Sequence, residues 1–365
     1  MKLSALVFLL ISFFTLNAAE IKVSDEELKK MIGHLLIVGF DGESVNKESK
    51  IAKQIQKYEL GGVILFDKDF NDRTKTKNIS SKEQLQQLTS SLKSFAKKSL
   101  LICVDQEGGR VARLKPAYGF DATPSAKVVS EMDGYMSKHV YNSLANTLSS
   151  SGINCNFAPV LDLALNEKNS VIQGLNRSYG SDSQKVVKYA AIAIEAMKEK
   201  QILAVAKHFP GHGSSSDDSH KGFVDVTSSW SEIELEPYKE LIEQDLLAMI
   251  MSAHVFNAKI DKKYPATLSY NTNTKLLRQQ LGFDGVLVSD DMQMGAISKH
   301  YTLKQSVTLA INSGIDMLLF GNQLSTQDID ELVEVIYTQV KNGEISYARI
   351  AESNKRVASL LKQDR

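Results

Sequence analysis

The sequence has few of the residues that build disulfide-linked or zinc-binding domains. Its 365 residues include only two cysteines, Cys103 and Cys155. Both lie in short apolar segments typical of buried strands. This excludes a small scaffold held by disulfides. We expect two buried free thiols, with a disulfide between them as the alternative. No HExxH motif and no paired-cysteine spacing occurs, so the common zinc-binding patterns are absent.

The chain also lacks an excess of charge of either sign. Lys and Arg total 43, Asp and Glu total 43, and the formal net charge is zero at pH 7. The basic residues are scattered, so neither nucleic acid nor an anionic membrane surface is an expected partner.

Long apolar runs are missing except near the start, at Ala5–Leu16. Lys2 precedes this run and small residues follow it. The run is shorter than the ~20 residues that cross a bilayer. The pattern predicts a secretory signal peptide at residues 1–19, export to a periplasm and a mature chain without a membrane span.

What the sequence does contain is a regular alternation of short apolar runs and amphipathic segments. The runs are Leu36–Phe40, Gly62–Phe66, Leu100–Val104, Ile153–Pro159, Leu203–Ala206, Ala248–Ser252, Val286–Ser289 and Asp316–Phe320. Strands that are apolar throughout are typical of a parallel sheet covered by helices. Eight such units predict an α/β fold, a single (β/α)8 TIM-type barrel with some irregular strands, over residues 20–365. An open doubly wound sheet is the alternative.

The stretch KHFPGHGSSSDDSH, Lys207–His220, follows the fifth apolar run. Barrel enzymes carry their sites where strands end and loops begin. Within it, Asp218 and His220 form a candidate proton-transfer unit, since a carboxylate fixes the tautomer of an adjacent imidazole and stabilises its charged form.

A metal site is the alternative interpretation of this stretch. His208, His212 and His220, with Asp217 or Asp218, could supply nitrogen and oxygen ligands. Since Pro210 and Gly211 separate the first two histidines, these do not share a helix face.

Paired carboxylates, Asp290 and Asp291, follow the seventh apolar run. Neighbouring side chains on a strand point in opposite directions, so we expect only one of the two to face the barrel mouth and act in catalysis. Alternatively, Ser289 and the two aspartates cap a helix over Met292–Lys299.

Two further clusters suggest substrate contacts. DQEGGRVARL, Asp105–Leu114, directly follows the third apolar run. There Asp105 could accept hydrogen bonds from hydroxyls and Arg113 could fork onto substrate oxygens. Its spacing is not that of a phosphate-binding loop. Arg177, in GLNRSYGS, is the other candidate.

Together, the segments VDQEGGRVAR, NFAPVLDL, NRSYGSD, KHFPGHGSSSDDSH and GFDGVLVSDD resemble glycoside hydrolase family 3, and more closely its bacterial β-N-acetylhexosaminidase branch. The resemblance spans Lys29–Lys341. It implies His220 as general acid/base with Asp218 as its partner, and Asp290 as nucleophile. The sugar-binding positions that it implies are Asp105, Arg113, Arg177, Lys207, His208 and, on the pocket wall, His254.

The resemblance implies a retaining exo-β-N-acetylglucosaminidase that needs no cofactor or metal and acts as a monomer on GlcNAc-containing glycans or muropeptides. A β-glucosidase, a phosphate-dependent phosphorylase, a metal-dependent hydrolase and a glycan-binding protein without activity are the alternatives. The single tryptophan, Trp230, suggests no long aromatic platform and hence short substrates. Better-known Gram-negative members of the branch lack a signal peptide, and in this respect the sequence departs from them.

Overall fold

The computed structural model describes residues 23–216, 218–220 and 222–362. The predicted signal peptide, residues 1–19, lies outside this part of the chain. Export and a catalytic domain that begins at residue 20 therefore stay predictions. Among the helices of the described residues, none combines the length and the apolar character of a bilayer span.

Eight strands form one parallel sheet that closes almost completely. In chain order, the strands of the described residues are β1 (Leu36–Gly39), β2 (Gly62–Leu65), β3 (Leu101–Val104), β4 (Cys155–Asn156), β5 (Leu203–Phe209), β6 (Val224–Asp225), β7 (Met249–Ser252), β8 (Val255–Phe256), β9 (Val286–Ser289) and β10 (Leu318–Phe320). The sheet order is β10-β1-β2-β3-β4-β5-β7-β9. Val288 of β9 forms a parallel bridge with Met317, which precedes β10, and so joins the two ends.

This arrangement confirms the predicted TIM-like barrel, and each of the eight apolar runs contributes one barrel strand. The barrel strands are buried, apart from the half-buried Ala204 of β5, because helices cover the outside and side chains fill the inside. Cys103 of β3 and Cys155 of β4 are register partners, and both are buried free thiols, as predicted.

The barrel is irregular on the side that carries β4 and β5. Within the predicted strand Ile153–Pro159, only Cys155–Asn156 forms a regular β-strand. The side-chain amide of Asn156 replaces ladder bonds there, since its Oδ1 accepts from the amide of Gln106 at 3.0 Å and its Nδ2 donates to that residue's carbonyl at 3.1 Å. β5 pairs with β7 across an irregularity between Ala206 and Phe209. A separate two-stranded sheet joins β6 to β8.

Helices surround the barrel. They are α1 (Asp25–Gly33), α2 (Lys50–Tyr58), α3 (Lys82–Phe95), α4 (Ala126–Val129), α5 (Gly134–Ser150), α6 (Ser183–Lys198), α7 (Glu236–Glu243), α8 (Gly295–Ser298), α9 (Leu303–Ser313), α10 (Ile329–Lys341) and α11 (Tyr347–Lys362), with 3₁₀ turns at Pro116–Tyr118, Gln173–Leu175, Glu232–Leu235 and Ala266–Leu268 and a π-helix at Asn271–Gln280. Ser, Thr or Asp side chains cap α1, α3, α5, α6 and α9 by accepting an amide hydrogen bond from the first turn.

A buried carboxylate holds the last helix against the amino end of the barrel. Asp316 precedes β10, and its oxygens lie 2.6 Å from Arg278 and 2.8 Å from Arg349. Arg356 of α11 lies 3.3 Å away. A buried charge is tolerated only when it is paired in this way. The network anchors the end of the barrel opposite to the face that carries the polar motifs.

Candidate active site

A cavity of about 710 Å³ opens at the carboxyl ends of the barrel strands. This is within the size range of small-molecule sites. Most of the residues that the sequence singled out line it, namely Asp105, Arg113, Arg177, Lys207, His208, Asp218, His220 and Asp290. The structure therefore brings together side chains from loops far apart in sequence.

The Asp218–His220 pair has the geometry of a proton-transfer unit. Nδ1 of His220 lies 2.9 Å from Oδ1 of Asp218, and the amide of His220 donates to the same oxygen at 3.0 Å. With Asp218 ionised, the proton on Nδ1 faces the carboxylate and Nε2 is left for a substrate. The His220 side chain is 51% exposed, so it reaches open space at the cavity.

The loop that carries this pair rests on the segment that follows Asp290. The carbonyls of Ser219 and His220 accept hydrogen bonds from the amides of Ala296 at 3.1 Å and Gly295 at 3.3 Å. These bonds tie the position of the pair to the turn that carries the carboxylates.

Asp290 and Asp291 both border the cavity, contrary to the expectation that only one would. The alternation of a strand stops at Ser289, and the chain turns there, with the Asp291 amide donating to Oδ1 of Asp290 at 2.8 Å. Neither aspartate caps the following helix, because α8 begins at Gly295 with Met294 at its N-cap.

The pKa values of the two carboxyl groups are shifted in opposite directions. Enclosure by protein opposes ionisation of Asp290, yet the neighbouring histidines, His254 first among them, lower its pKa below the usual value. Enclosure raises the pKa of Asp291 to about 7, although its Oδ1 accepts from the amides of Gln293 and Gly321 at 3.0 and 3.3 Å. Asp290 is therefore the more readily ionised of the two.

The floor of the cavity is a closed network of charges. Nζ of Lys207 lies 2.9 Å from Asp105 and 2.7 Å from Glu107. Arg177 forks onto the two Glu107 oxygens at 2.7 Å each, and Arg113 lies 3.1 Å from Asp105. Burial opposes ionisation of both carboxyls, but the cations lower the pKa of each. Glu107 was not among the site residues predicted from the sequence, although it stands two residues after Asp105 in the same motif.

A second missed residue, Asp162, orients His208. Its Oδ2 lies 2.6 Å from Nδ1 of His208, and its Oδ1 accepts from the amide of His212 at 2.8 Å. Nδ1 of His208 is thereby fixed, and its Nε2 lies 3.4 Å from a guanidinium nitrogen of Arg177. The NFAPVLDL segment contained Asp162, but nothing in it indicated a histidine partner.

The structure places His254 behind the cavity, not on its wall. The residue is 1% exposed, and its ring nitrogens lie 2.8 Å from the Thr267 hydroxyl and 2.9 Å from the Asp291 carbonyl. It therefore supports the turn of the two aspartates.

The histidines considered as metal ligands have other partners. Nδ1 of His208 is bound to Asp162 and Nδ1 of His212 to Ser215 at 2.7 Å. Within the described ranges, no group of three His, Cys, Asp or Glu side chains is placed to hold a metal ion. Asp217, named with them, lies outside those ranges.

Comparisons with known proteins show which family this chain resembles. Residues 27–360 match the family described as "Glycosyl hydrolase family 3 N terminal domain". A "Beta-hexosaminidase" from Tolumonas auensis is 36% identical over 269 residues, which cover 72% of this chain and 76% of the relative. "Beta-hexosaminidase A" from Pseudoalteromonas piscicida is 31% identical over 338 residues, 85% of this chain but 54% of the relative.

Among solved structures, a glycoside hydrolase family 3 β-N-acetylglucosaminidase from Paenibacillus sp. str. FPU-7 matches with a TM-score of 0.83 and 31% identity. The match covers 92% of this chain and 62% of that chain. This chain thus spans little more than half the length of the Pseudoalteromonas and Paenibacillus proteins.

A buried carboxyl group near the site, that of Glu234, should make the stability of the fold depend on pH. Glu234 is 1% exposed, and its Oε2 accepts from the amide of Gly213 at 3.0 Å, at the start of the loop that leads to His220. Burial raises the pKa of Glu234 from 4.5 to about 7.

The folded state therefore holds this proton more tightly than the unfolded state. Its contribution to stability is full below pH 4.5 and is lost as pH rises through about 7. Glutamine stays neutral at every pH. We therefore expect the melting temperature of Glu234→Gln to fall less between pH 5 and pH 8 than that of the wild type. Thermal unfolding at several pH values measures this, with the exposed Glu232→Gln as matched control. Parallel curves for Glu234→Gln and wild type would contradict the assignment.

Proposed function

Because this chain belongs to glycosyl hydrolase family 3, we propose that it is a retaining exo-β-N-acetylglucosaminidase that releases terminal β-linked GlcNAc. The family that the sequence motifs indicated is thereby confirmed. The main support for this activity is that the Asp218–His220 pair and Asp290, whose pKa is lowered, line the same cavity. The names of the relatives and of the Paenibacillus structure support GlcNAc as the sugar.

The proposed reaction is a double displacement. Asp290 attacks the anomeric carbon while Nε2 of His220 gives its proton to the departing oxygen. A bond between the sugar and Asp290 forms as the glycosidic bond breaks. His220, now neutral, then takes a proton from water, and the hydroxide so formed displaces Asp290 from the sugar.

The residues around these two groups supply charge and position. Asp218 holds Nδ1 of His220 and stabilises the imidazolium when it forms. The ionised network of Asp105, Glu107 and Lys207 offers acceptors and a donor that are already in place for sugar hydroxyls. The raised pKa of Asp291 keeps a second negative charge from forming fully beside Asp290 at neutral pH.

The activity is tested by hydrolysis of p-nitrophenyl β-GlcNAc beside the corresponding β-glucoside, each with and without phosphate and EDTA. We expect release from the GlcNAc substrate alone, unchanged by either addition. Faster release from the glucoside would favour a β-glucosidase, and dependence on phosphate a phosphorylase. Loss with EDTA would favour a metal-dependent hydrolase, and tight binding without release a binding protein.

Substitutions at the two catalytic positions separate their roles. General acid–base catalysis is typically worth ~10²–10⁴-fold. We expect His220→Ala to lose about that much on a GlcNAc disaccharide and much less on the activated aryl glycoside. Asp290→Asn should nearly abolish both reactions, whereas its matched control Asp291→Asn should keep most activity. Equal losses of His220→Ala on both substrates, or an active Asp290→Asn, would contradict the assignments.

We further propose that the natural substrates are peptidoglycan fragments, whose aglycones carry carboxylates. Lys68 and Arg73 line the cavity from the loop after β2. Arg73 lies 5.1 Å from the Phe70 ring centre and Lys68 lies 6.0 Å from the Tyr118 ring centre. In the part of the chain that the structure describes, neither cation forms an ion pair with a carboxylate, and an acidic aglycone would supply one.

A charge-removing variant tests this substrate class. An exposed ion pair is worth ~0.2–1 kcal/mol, so Lys68→Met with Arg73→Gln should lower kcat/KM for GlcNAc-MurNAc by up to about 5-fold and leave the uncharged GlcNAc disaccharide unchanged. Lys75→Met, on the same loop and paired with Asp72, is the matched control. An equal effect on both disaccharides would contradict an acidic aglycone.

The signal-peptide pattern of residues 1–19 supports a periplasmic location for this activity. Recovery of the protein from the cytosol with Met1 retained would contradict it.

A further inference from the structure

Three aromatic rings lie together at the rim of the barrel mouth, beside the catalytic loop. Phe223 stands three residues after His220, Phe256 ends β8, and His300 follows α8. We call these three residues the aromatic shelf. They come from the loops that follow β5, β7 and β9, which are neighbours in the barrel. Lys299, next to His300, lines the cavity itself.

The shelf rings pack on one another and leave one face open. The ring centres of Phe223 and Phe256 are 5.2 Å apart, and those of Phe223 and His300 are 6.0 Å apart. Phe223 is nevertheless 50% exposed. A single exposed phenylalanine needs no explanation, but a group of rings next to a catalytic cavity offers a surface for a ligand.

A small core holds the shelf from below. β6 and β8 pair with each other, in the register Val224 with Val255 and Asp225 with Phe256. A separate buried cluster packs around them, formed by Val224, Val226, Trp230, Ala253, Val255 and Ala266. Nε1 of Trp230 donates to the Pro210 carbonyl at 3.0 Å. The only tryptophan thus supports the shelf and is not itself a platform.

The proposed mechanism indicates which part of the substrate lies near the aromatic shelf. In the proposed mechanism, His220 protonates the glycosidic oxygen, so the first leaving sugar lies in the cavity that His220, Lys68 and Arg73 line together. A pyranose ring has faces of C–H groups that pack on aromatic rings, and hydroxyls at its edge that stay in water. A chain of sugars that leaves the cavity past His220 would therefore meet Phe223.

We propose that the aromatic shelf is an additional binding subsite for the sugars beyond the first leaving sugar of a longer glycan substrate, for which β-linked GlcNAc oligosaccharides serve as the probe. This inference rests on the proposed function. It modifies the expectation, drawn from the single tryptophan, that substrates are only short ones.

The test is the dependence of kcat/KM on chain length. We expect Phe223→Ala to lower kcat/KM for the GlcNAc tri- and tetrasaccharides by about 3- to 10-fold, the typical worth of one aromatic contact. Hydrolysis of p-nitrophenyl β-GlcNAc should stay within about twofold of wild type, and Phe223→Tyr should restore the longer substrates. Tyr135→Ala, at an exposed tyrosine outside the shelf, is the matched control.

Two outcomes would overturn the subsite. The first is an equal loss on p-nitrophenyl β-GlcNAc, which would mean that Phe223 only holds the catalytic loop. The second is no change with chain length in Phe223→Ala. If the wild type hydrolyses no GlcNAc substrate, the proposed function fails, and calorimetric titration with the tetrasaccharide decides the subsite separately: weaker binding by Phe223→Ala supports it, and equal binding overturns it.

Discussion

The contact between Lys207 and two carboxylates, Asp105 and Glu107, is the constraint on which the site depends. The Lys207 side chain is almost completely buried, and burial alone would lower its pKa, but the two anions raise it above the ordinary value. Burying an ion costs several kcal/mol unless it is well paired. The barrel can therefore close around Lys207 only when β3, β5 and the Arg177 loop are all in place.

The same network positions the groups that react. Lys207 and His208 lie at the end of β5, and the loop that continues from them reaches Asp218 and His220. Asp162 holds both His208 and the amide of His212, so the start of this loop is fixed to the barrel. Its far end rejoins the structure through β6 and β8. A loop held at both ends can present an exposed imidazole at a defined place opposite Asp290.

Some of this architecture could be predicted from the sequence, because it depends on local patterns. Most of the barrel strands are short apolar runs, and the Asp218–His220 pair lies within three consecutive residues. Contacts between distant residues left no such pattern. Asp162 and His208 stand 46 positions apart, and Glu107 and Arg177 stand 70 apart. The two-residue strands β6 and β8 are too short to show any periodicity.

The two positions that the structure placed differently share one cause. Strand alternation predicted that one aspartate of the Asp290–Asp291 pair turns away, and sequence similarity suggested His254 as part of the pocket wall. The backbone turns directly after Ser289, so Asp291 borders the cavity and its carbonyl accepts from His254 behind it. Tertiary contacts determine the path of the backbone beyond the end of a strand. The alternation within the strand therefore does not predict that path.

Identification of the covalent intermediate would show directly whether Asp290 is the nucleophile. A fluorinated GlcNAc donor that slows the second step would be reacted with the enzyme, and the labelled peptide fragmented by mass spectrometry. The proposed double displacement predicts one sugar on Asp290. A sugar on Asp291, or turnover through an oxazoline with no labelled peptide, would contradict it.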